Sequence, residues 1–134
     1  MAKYTIGLDY GTLSGRAVLV DVKTGDIAAV SEYVYPHGVM NRTLPCGAEI
    51  KPAWALEHPD DYEQVLYKTI PAIMAESGID KSDVIGIGID ATACTILPLD
   101  ADGQPLALSP YGCARLRVSM FPDAARPVAL EAVP

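Results

Sequence analysis

The chain has 134 residues, of which 50% are hydrophobic and 20% charged, with a mean hydropathy of +0.20. This is the composition of a folded domain with one modest core, and it excludes a disordered or fibrous chain. A formal net charge of −7 argues against nucleic acid as a partner. No apolar run approaches the ~20 residues that a membrane span requires, and MAKYTIG lacks the apolar stretch of a secretory leader, so a cytoplasmic protein is expected.

Residues 4–21, YTIGLDYGTLSGRAVLVD, read as two strands joined by a tight glycine-rich turn. Tyr4, Ile6 and Leu8 alternate with other residues and lead to Asp9, and Ala17 to Val20 form a second apolar run. The turn between them gathers a carboxylate, two glycines, two hydroxyls and an arginine: Asp9, Gly11, Thr12, Ser14, Gly15 and Arg16. Backbone N–H groups and hydroxyls grip phosphate oxygens, arginine offsets their charge, and a carboxylate holds magnesium. The plain alternative is a β-hairpin whose glycines serve only turn geometry.

Lys23-Thr24-Gly25-Asp26 is a turn, and Ile27 to Tyr35 reads as a third strand, completing an antiparallel meander. Pro36 to Pro52 is a long loop, a functional segment or a surface excursion. Pro59 and the acidic pair Asp60-Asp61 open a helix whose apolar positions are Tyr62, Val65, Leu66, Thr69, Ile70, Ile73 and Met74. Pro71 should kink or divide it, and Gly78 ends it. Val84 to Asp90, VIGIGID, is an apolar strand whose Gly86 and Gly88 should let a neighbour press close. A strand over Ile96–Leu99, a turn at Asp100-Ala101-Asp102-Gly103 and a return from Gln104 to Leu108 follow. A βαβ crossover around the helix would set the ends of the first and fourth strands side by side, bringing Asp9 and Asp90 to one cleft. Cys46, Cys94 and Cys113 fit no metal pattern and read as free thiols, and His37 and His58 read as structural.

The pattern DYGTLSGRA resembles the first phosphate loop of the FGGY carbohydrate kinases, in the actin and hexokinase superfamily. The resemblance runs from Tyr4 to about Leu108 and is strongest to the L-ribulokinase branch, through GLDYGTLSGRAVLVD, VYPHGVM, WALEHPDDY and VIGIGIDATACTILPLD. It implies an α/β fold, the incomplete N-terminal part of a ribonuclease H-like domain. It also implies ATP-dependent phosphorylation of L-ribulose in L-arabinose catabolism, with Mg2+. Carried over by position, Asp9 would orient the metal, Gly11, Thr12, Ser14 and Arg16 would face the transferred phosphate, and Thr92 and Ala93 would lie along the sugar. Ala91 departs from the family, which usually has phenylalanine there.

The family's catalytic base and adenosine-binding domain lie downstream of anything present, so the chain is expected to be an N-terminal fragment, inactive alone. Another FGGY sugar kinase, for xylulose or glycerol, and a non-catalytic module are the rival readings. An incomplete sheet leaves an edge uncovered, so self-association is expected. Residues 1–108 carry 7 Lys+Arg and 15 Asp+Glu (7 − 15 = −8), whereas residues 109–134 carry 3 and 2 (3 − 2 = +1). With Pro110, Pro122, Pro127 and Pro134 breaking any long element, 109–134 is expected to be a non-family tail, frameshifted or disordered.

Overall fold

The computed structural model describes residues 2–93, 97 and 99–105. The chain divides into two compact units, Met1–Gly38 with Asp60–Thr92, and Val39–Pro59 with Ala93–Pro134.

The first unit is a four-stranded sheet with one helix. Strands β1 (Tyr4–Tyr10), β2 (Ser14–Asp21) and β3 (Ile27–Val34) form the expected antiparallel meander. Helix α1 (Pro59–Ser77) follows, then a short 3-10 turn at Lys81–Asp83, then β4 (Val84–Ala91), in the sheet order β3-β2-β1-β4. Period-two alternation decides which face is buried. Ile6, Leu8 and Tyr10 of β1 are buried while Gly7 and Asp9 are exposed. The register pairs Ile6 with Leu19 and Leu8 with Ala17, so the buried residues of β1 and β2 share one face. Ala29 of β3 pairs with Leu19 and extends that face.

Helix α1 covers it. Val65, Thr69 and Ile73 recur every four residues, so they form one ridge along the helix, and all three are fully buried. The hydroxyl of Thr69 donates to the Val65 carbonyl at 2.6 Å, which lets a polar side chain sit inside the core. Burying side chains such as Leu19 and Ile73 contributes roughly 1.5–3 kcal/mol each. The helix ends as expected: Gly78 has a φ of 65° and donates its N–H to the Met74 carbonyl at 3.1 Å.

Two sequence expectations are corrected. Pro71 does not divide α1, which runs unbroken through it. Pro71 lies on the exposed side, where water can serve the carbonyl one turn back that the missing N–H leaves open. Among the described residues nothing presses on the glycines of β4 either. A Cβ at Gly88 would meet no atom within 4 Å, and one at Gly86 would meet only the Thr5 hydroxyl, at 3.7 Å. Among the described residues β4 is the outer strand of the sheet, paired on one side only, with β1.

The second unit is loop-rich. Isolated bridges join Met40 to Leu56, Thr43 to Glu49 and Leu99 to Pro105, and the Lys51 ammonium lies 5.8 Å from the Trp54 ring centroid. The turn at Asp100 forms as expected, its carboxylate accepting from the N–H groups of Asp102 and Gln104. Cys46 is disulfide-bonded, against the expectation of a free thiol, since sequence spacing by itself does not say which sulfurs a fold brings within bonding reach. The expected strand over 96–99, the return to Leu108 and the tail at 109–134 fall largely or wholly outside the described residues. No described helix is long and apolar enough to cross a membrane.

Candidate active site

The first turn is tight. Gly11 donates its N–H to the Ser14 carbonyl at 3.0 Å, and Thr12 and Leu13 occupy the corners. A Cβ at Gly11 would stand 3.1 Å from that same carbonyl oxygen, so the close return of the chain depends on glycine there. The Leu13 carbonyl accepts from the Tyr35 N–H at 2.9 Å, which ties the turn to the end of β3.

The sheet register then sets a row of charge beside the turn. Asp9 pairs with Arg16 across the antiparallel β1–β2 ladder and with Asp90 across the parallel β1–β4 ladder. Arg16 in turn pairs with Glu32 of β3. Residues paired across a ladder project to the same face. Asp90, Asp9, Arg16 and Glu32 therefore form one line across the sheet, on the face opposite α1, and all four are exposed. The expected meeting of Asp9 and Asp90 is thus seen.

Glu32 is the member that sequence reading missed. Its Oε1 accepts from the Ser14 hydroxyl at 2.7 Å and from Arg16 Nε at 3.4 Å. The Ser14 hydrogen bond first, and then Arg16, hold its carboxyl below the ordinary value of 4.5. Ser14 and Arg16 are two apart on β2 and so share a face, but only the β3 register reveals which carboxylate meets them. The alternation of β3 alone could have placed Glu32 on the outer face, and it could not have named its partners.

An aromatic stack backs the turn from the other side. The rings of Tyr10 and Tyr62 lie 5.4 Å apart and nearly parallel, at 6°, and the rings of Tyr62 and Tyr35 lie 5.4 Å apart at 29°. Burial pushes the Tyr10 hydroxyl up from its ordinary value. Asp61, in the first turn of α1, is only 2% exposed and is held by His37, whose N–H and Nδ1 lie 3.2 and 2.8 Å from its two oxygens. His37 thereby fastens the loop after β3 to the start of the helix.

At the end of β4, Thr92 gives both its N–H and its hydroxyl to the Tyr10 carbonyl, at 3.0 and 2.9 Å. Asp90 Oδ1 accepts from the Ala91 N–H at 3.0 Å. Of the residues singled out from sequence, the structure gathers Asp9, Gly11, Thr12, Ser14, Arg16 and Thr92 around the ends of β1, β2 and β4 in the first unit. Ala93 is exposed and belongs to the second unit.

Comparison with known proteins bears on the family and the fold. Residues 4–109 match the model of the FGGY family of carbohydrate kinases, N-terminal domain. The ribulokinase of Geobacillus thermodenitrificans is 54% identical over 111 residues, 81% of this chain and 19% of that protein. The ribulokinase of Halalkalibacterium halodurans is 55% identical over 107 residues, covering 79% and 19%. The chain thus spans about a fifth of the length of the curated relatives it matches. Among solved structures, gluconate kinase from Lactobacillus acidophilus superposes with a TM-score of 0.62 at 24% identity, over 79% of this chain and 19% of that one. The ligand-bound xylulose kinase of the same organism gives 0.61 at 24%, over 78% and 18%. These two show the fold. The family model spans most of the sequence and includes the whole charged row, and the chain belongs to the FGGY family of carbohydrate kinases.

Proposed function

We propose that this chain forms the phosphate-facing wall of an L-ribulokinase, a cytoplasmic enzyme that transfers a phosphoryl group from ATP to L-ribulose. The observation that carries the reading is the pairing of Asp9 with both Arg16 and Asp90 beside a hydroxyl-bearing turn. The identity to two ribulokinases above 50% favours L-ribulose over the xylulose and glycerol alternatives. The donor set fits the cofactors. Neighbouring Asp9 and Asp90 offer the oxygen ligands that Mg2+ prefers, directly or through water. Thr12, Ser14 and Arg16 offer hydrogen-bond donors to phosphate oxygens, Arg16 with a fixed charge. When bound, Mg2+ would neutralise phosphate charge.

Phosphoryl transfer depends mainly on positioning and charge stabilisation, and this chain's share is to hold those groups rigid. Gly11 permits the tight turn, the Tyr10–Tyr62 stack fixes the end of β1, and Thr92 clamps β4 to it. Glu32 holds Arg16 and Ser14 together until a phosphate competes for them. Thr92 and Ala93 would lie along the sugar. The chain supplies one wall, so it is expected to give no turnover by itself. Residues 109–134 we read as a non-family tail.

A chimera tests the reading. Residues 1–108 of this chain replace the matching segment of the Geobacillus ribulokinase, and ADP release is followed over L-ribulose, D-xylulose and glycerol. The chimera should prefer L-ribulose, and Asp9→Asn in it should lower kcat by roughly 10²–10³-fold. A folded chimera that prefers another sugar, or that is indifferent to Asp9→Asn, would sink the proposal.

A further inference from the structure

Ser14 and Arg16 stand two apart on β2, and period-two alternation puts both on the face that carries Asp9. Glu32 stands directly opposite Arg16 on β3 and diagonally from Ser14, whose own partner is Val34. One oxygen, Glu32 Oε1, accepts from both, at 2.7 Å from the Ser14 hydroxyl and 3.4 Å from Arg16 Nε. A serine hydroxyl has one hydrogen to donate. While Ser14 gives it to Glu32, it cannot give it to a phosphate oxygen. The carboxylate therefore holds the very donors that a phosphate at this turn needs.

The charge of the row points the same way. Asp90, Asp9 and Glu32 set three carboxylates against the one guanidinium of Arg16, which leaves the row two charges negative. A bare phosphate adds to that excess and is repelled. A divalent cation on Asp9 and Asp90 would cancel it, so a phosphate arriving with its metal meets no such barrier. Glu32 is charged at neutral pH, since Ser14 first and then Arg16 hold its carboxyl below 4.5. Its hold is also breakable: a solvated ion pair is weak, and a phosphate brings more charge and more acceptor oxygens than one carboxylate.

We propose that Glu32 competes with phosphate for Ser14 and Arg16, so that the turn accepts a phosphate carried with a divalent cation and refuses one that comes without metal. This rests on the phosphate-facing reading of the turn and deepens it, by making Glu32 the residue that sets which phosphates the turn accepts. The opposite role, a brace that aims Arg16 at the ligand, carries the opposite sign. Losing a competitor tightens phosphate binding, whereas losing a brace weakens it.

Amide NMR of the 134-residue chain reads this sign without turnover. Inorganic phosphate is titrated in, with and without Mg2+, and the N–H signals of Gly11, Ser14 and Arg16 are followed. Glu32→Gln keeps the shape of the side chain and removes its charge, and without metal it should bind phosphate roughly 2–5-fold more tightly than the unmodified chain. Mg2+ should strengthen binding in the unmodified chain, and by a smaller factor in Glu32→Gln. Adding Glu32→Gln to Ser14→Ala should gain less than Glu32→Gln alone, because the donor contested by carboxylate and phosphate is already gone. In the chimera, Glu32→Gln should lower KM for MgATP, where loss of a brace raises it. Phosphate binding that weakens or stays the same in Glu32→Gln overturns the proposal and leaves the turn a phosphate site. An unmodified chain that binds phosphate equally well with and without Mg2+ overturns it too, with no variant required. Phosphate that moves none of these signals in either chain removes the proposal and the phosphate reading together. The chimera's response to Asp9→Asn tests that reading separately.

Discussion

Gly15 is the position where helix and sheet come closest, so Gly15→Ala probes their fit directly. Gly15 is buried in β2 and pairs with Tyr10 and Tyr33. A Cβ added there would overlap Val65 Cγ2, stand 2.9 Å from Val65 Cγ1 and lie 3.2 Å from the Tyr35 hydroxyl oxygen. Val65 cannot yield easily, because it is fully buried in α1 and its β-branched side chain favours one rotamer in a helix. Overpacking of this kind costs about 1–3 kcal/mol. Replacing glycine by alanine stiffens the unfolded chain and returns roughly 0.4–1 kcal/mol. The clash involves two methyls of a pinned side chain, so the upper part of the range applies and a net loss of about 1–2 kcal/mol is expected. For a unit of this size that lowers Tm by roughly 5–15 °C. Thermal and urea melts of the wild-type chain, Gly15→Ala, Val65→Ala and the double variant form the assay. Val65→Ala removes the obstruction, so the double variant should be more stable than the sum of the singles predicts, by about 1 kcal/mol or more. Strict additivity, or a neutral Gly15→Ala, would refute the reasoning that this glycine sets the helix–sheet distance.

Asp61→Asn should destabilise the chain by roughly 1–3 kcal/mol, because a buried carboxylate held by the His37 N–H and ring is replaced by an amide that accepts less well; urea midpoints measure it, and an unchanged midpoint would show the contact to be incidental. Glu32 titrates below 4.5 when folded, so its contribution to stability is present above that value and fades as pH falls through the lower folded value. Melts between pH 6 and 3 should show a small acid-side loss that Glu32→Gln removes, and an identical pH profile in the variant would exclude the contribution; the pair is exposed, so the effect is modest. The 134-residue chain should show no sugar-dependent ADP release in a coupled assay, and turnover that disappears in Asp9→Asn would overturn the view that it needs the rest of a kinase. Reading the gene beyond codon 109 in its other two frames tests the tail: a kinase-like continuation is expected in one of them, and its absence would remove the frameshift explanation.

Sequence alone determined the elements, and for a physical reason. The alternation of Ile6, Leu8 and Tyr10 against Gly7 and Asp9 can bury only one face of a strand, and the spacing of Val65, Thr69 and Ile73 can bury only one face of a helix. With short turns between β1, β2 and β3, the meander had little freedom, and the single helix before β4 required a crossover into a parallel strand. The acidic end of β1, the glycine turn and Arg16 were legible for the same local reason, since they lie within a few residues of one another. What the tertiary structure decided were the pairings between distant residues. Cross-strand register placed Asp90 beside Asp9 and gave Glu32 to Ser14 and Arg16, and no local pattern encodes which residue stands opposite which. Packing decided that Pro71 could stay in α1, because it fell on the wet side of the helix. It also set β4 beside β1 at the outside of the described sheet, because strand order, unlike hydropathy, is a property of the assembled sheet.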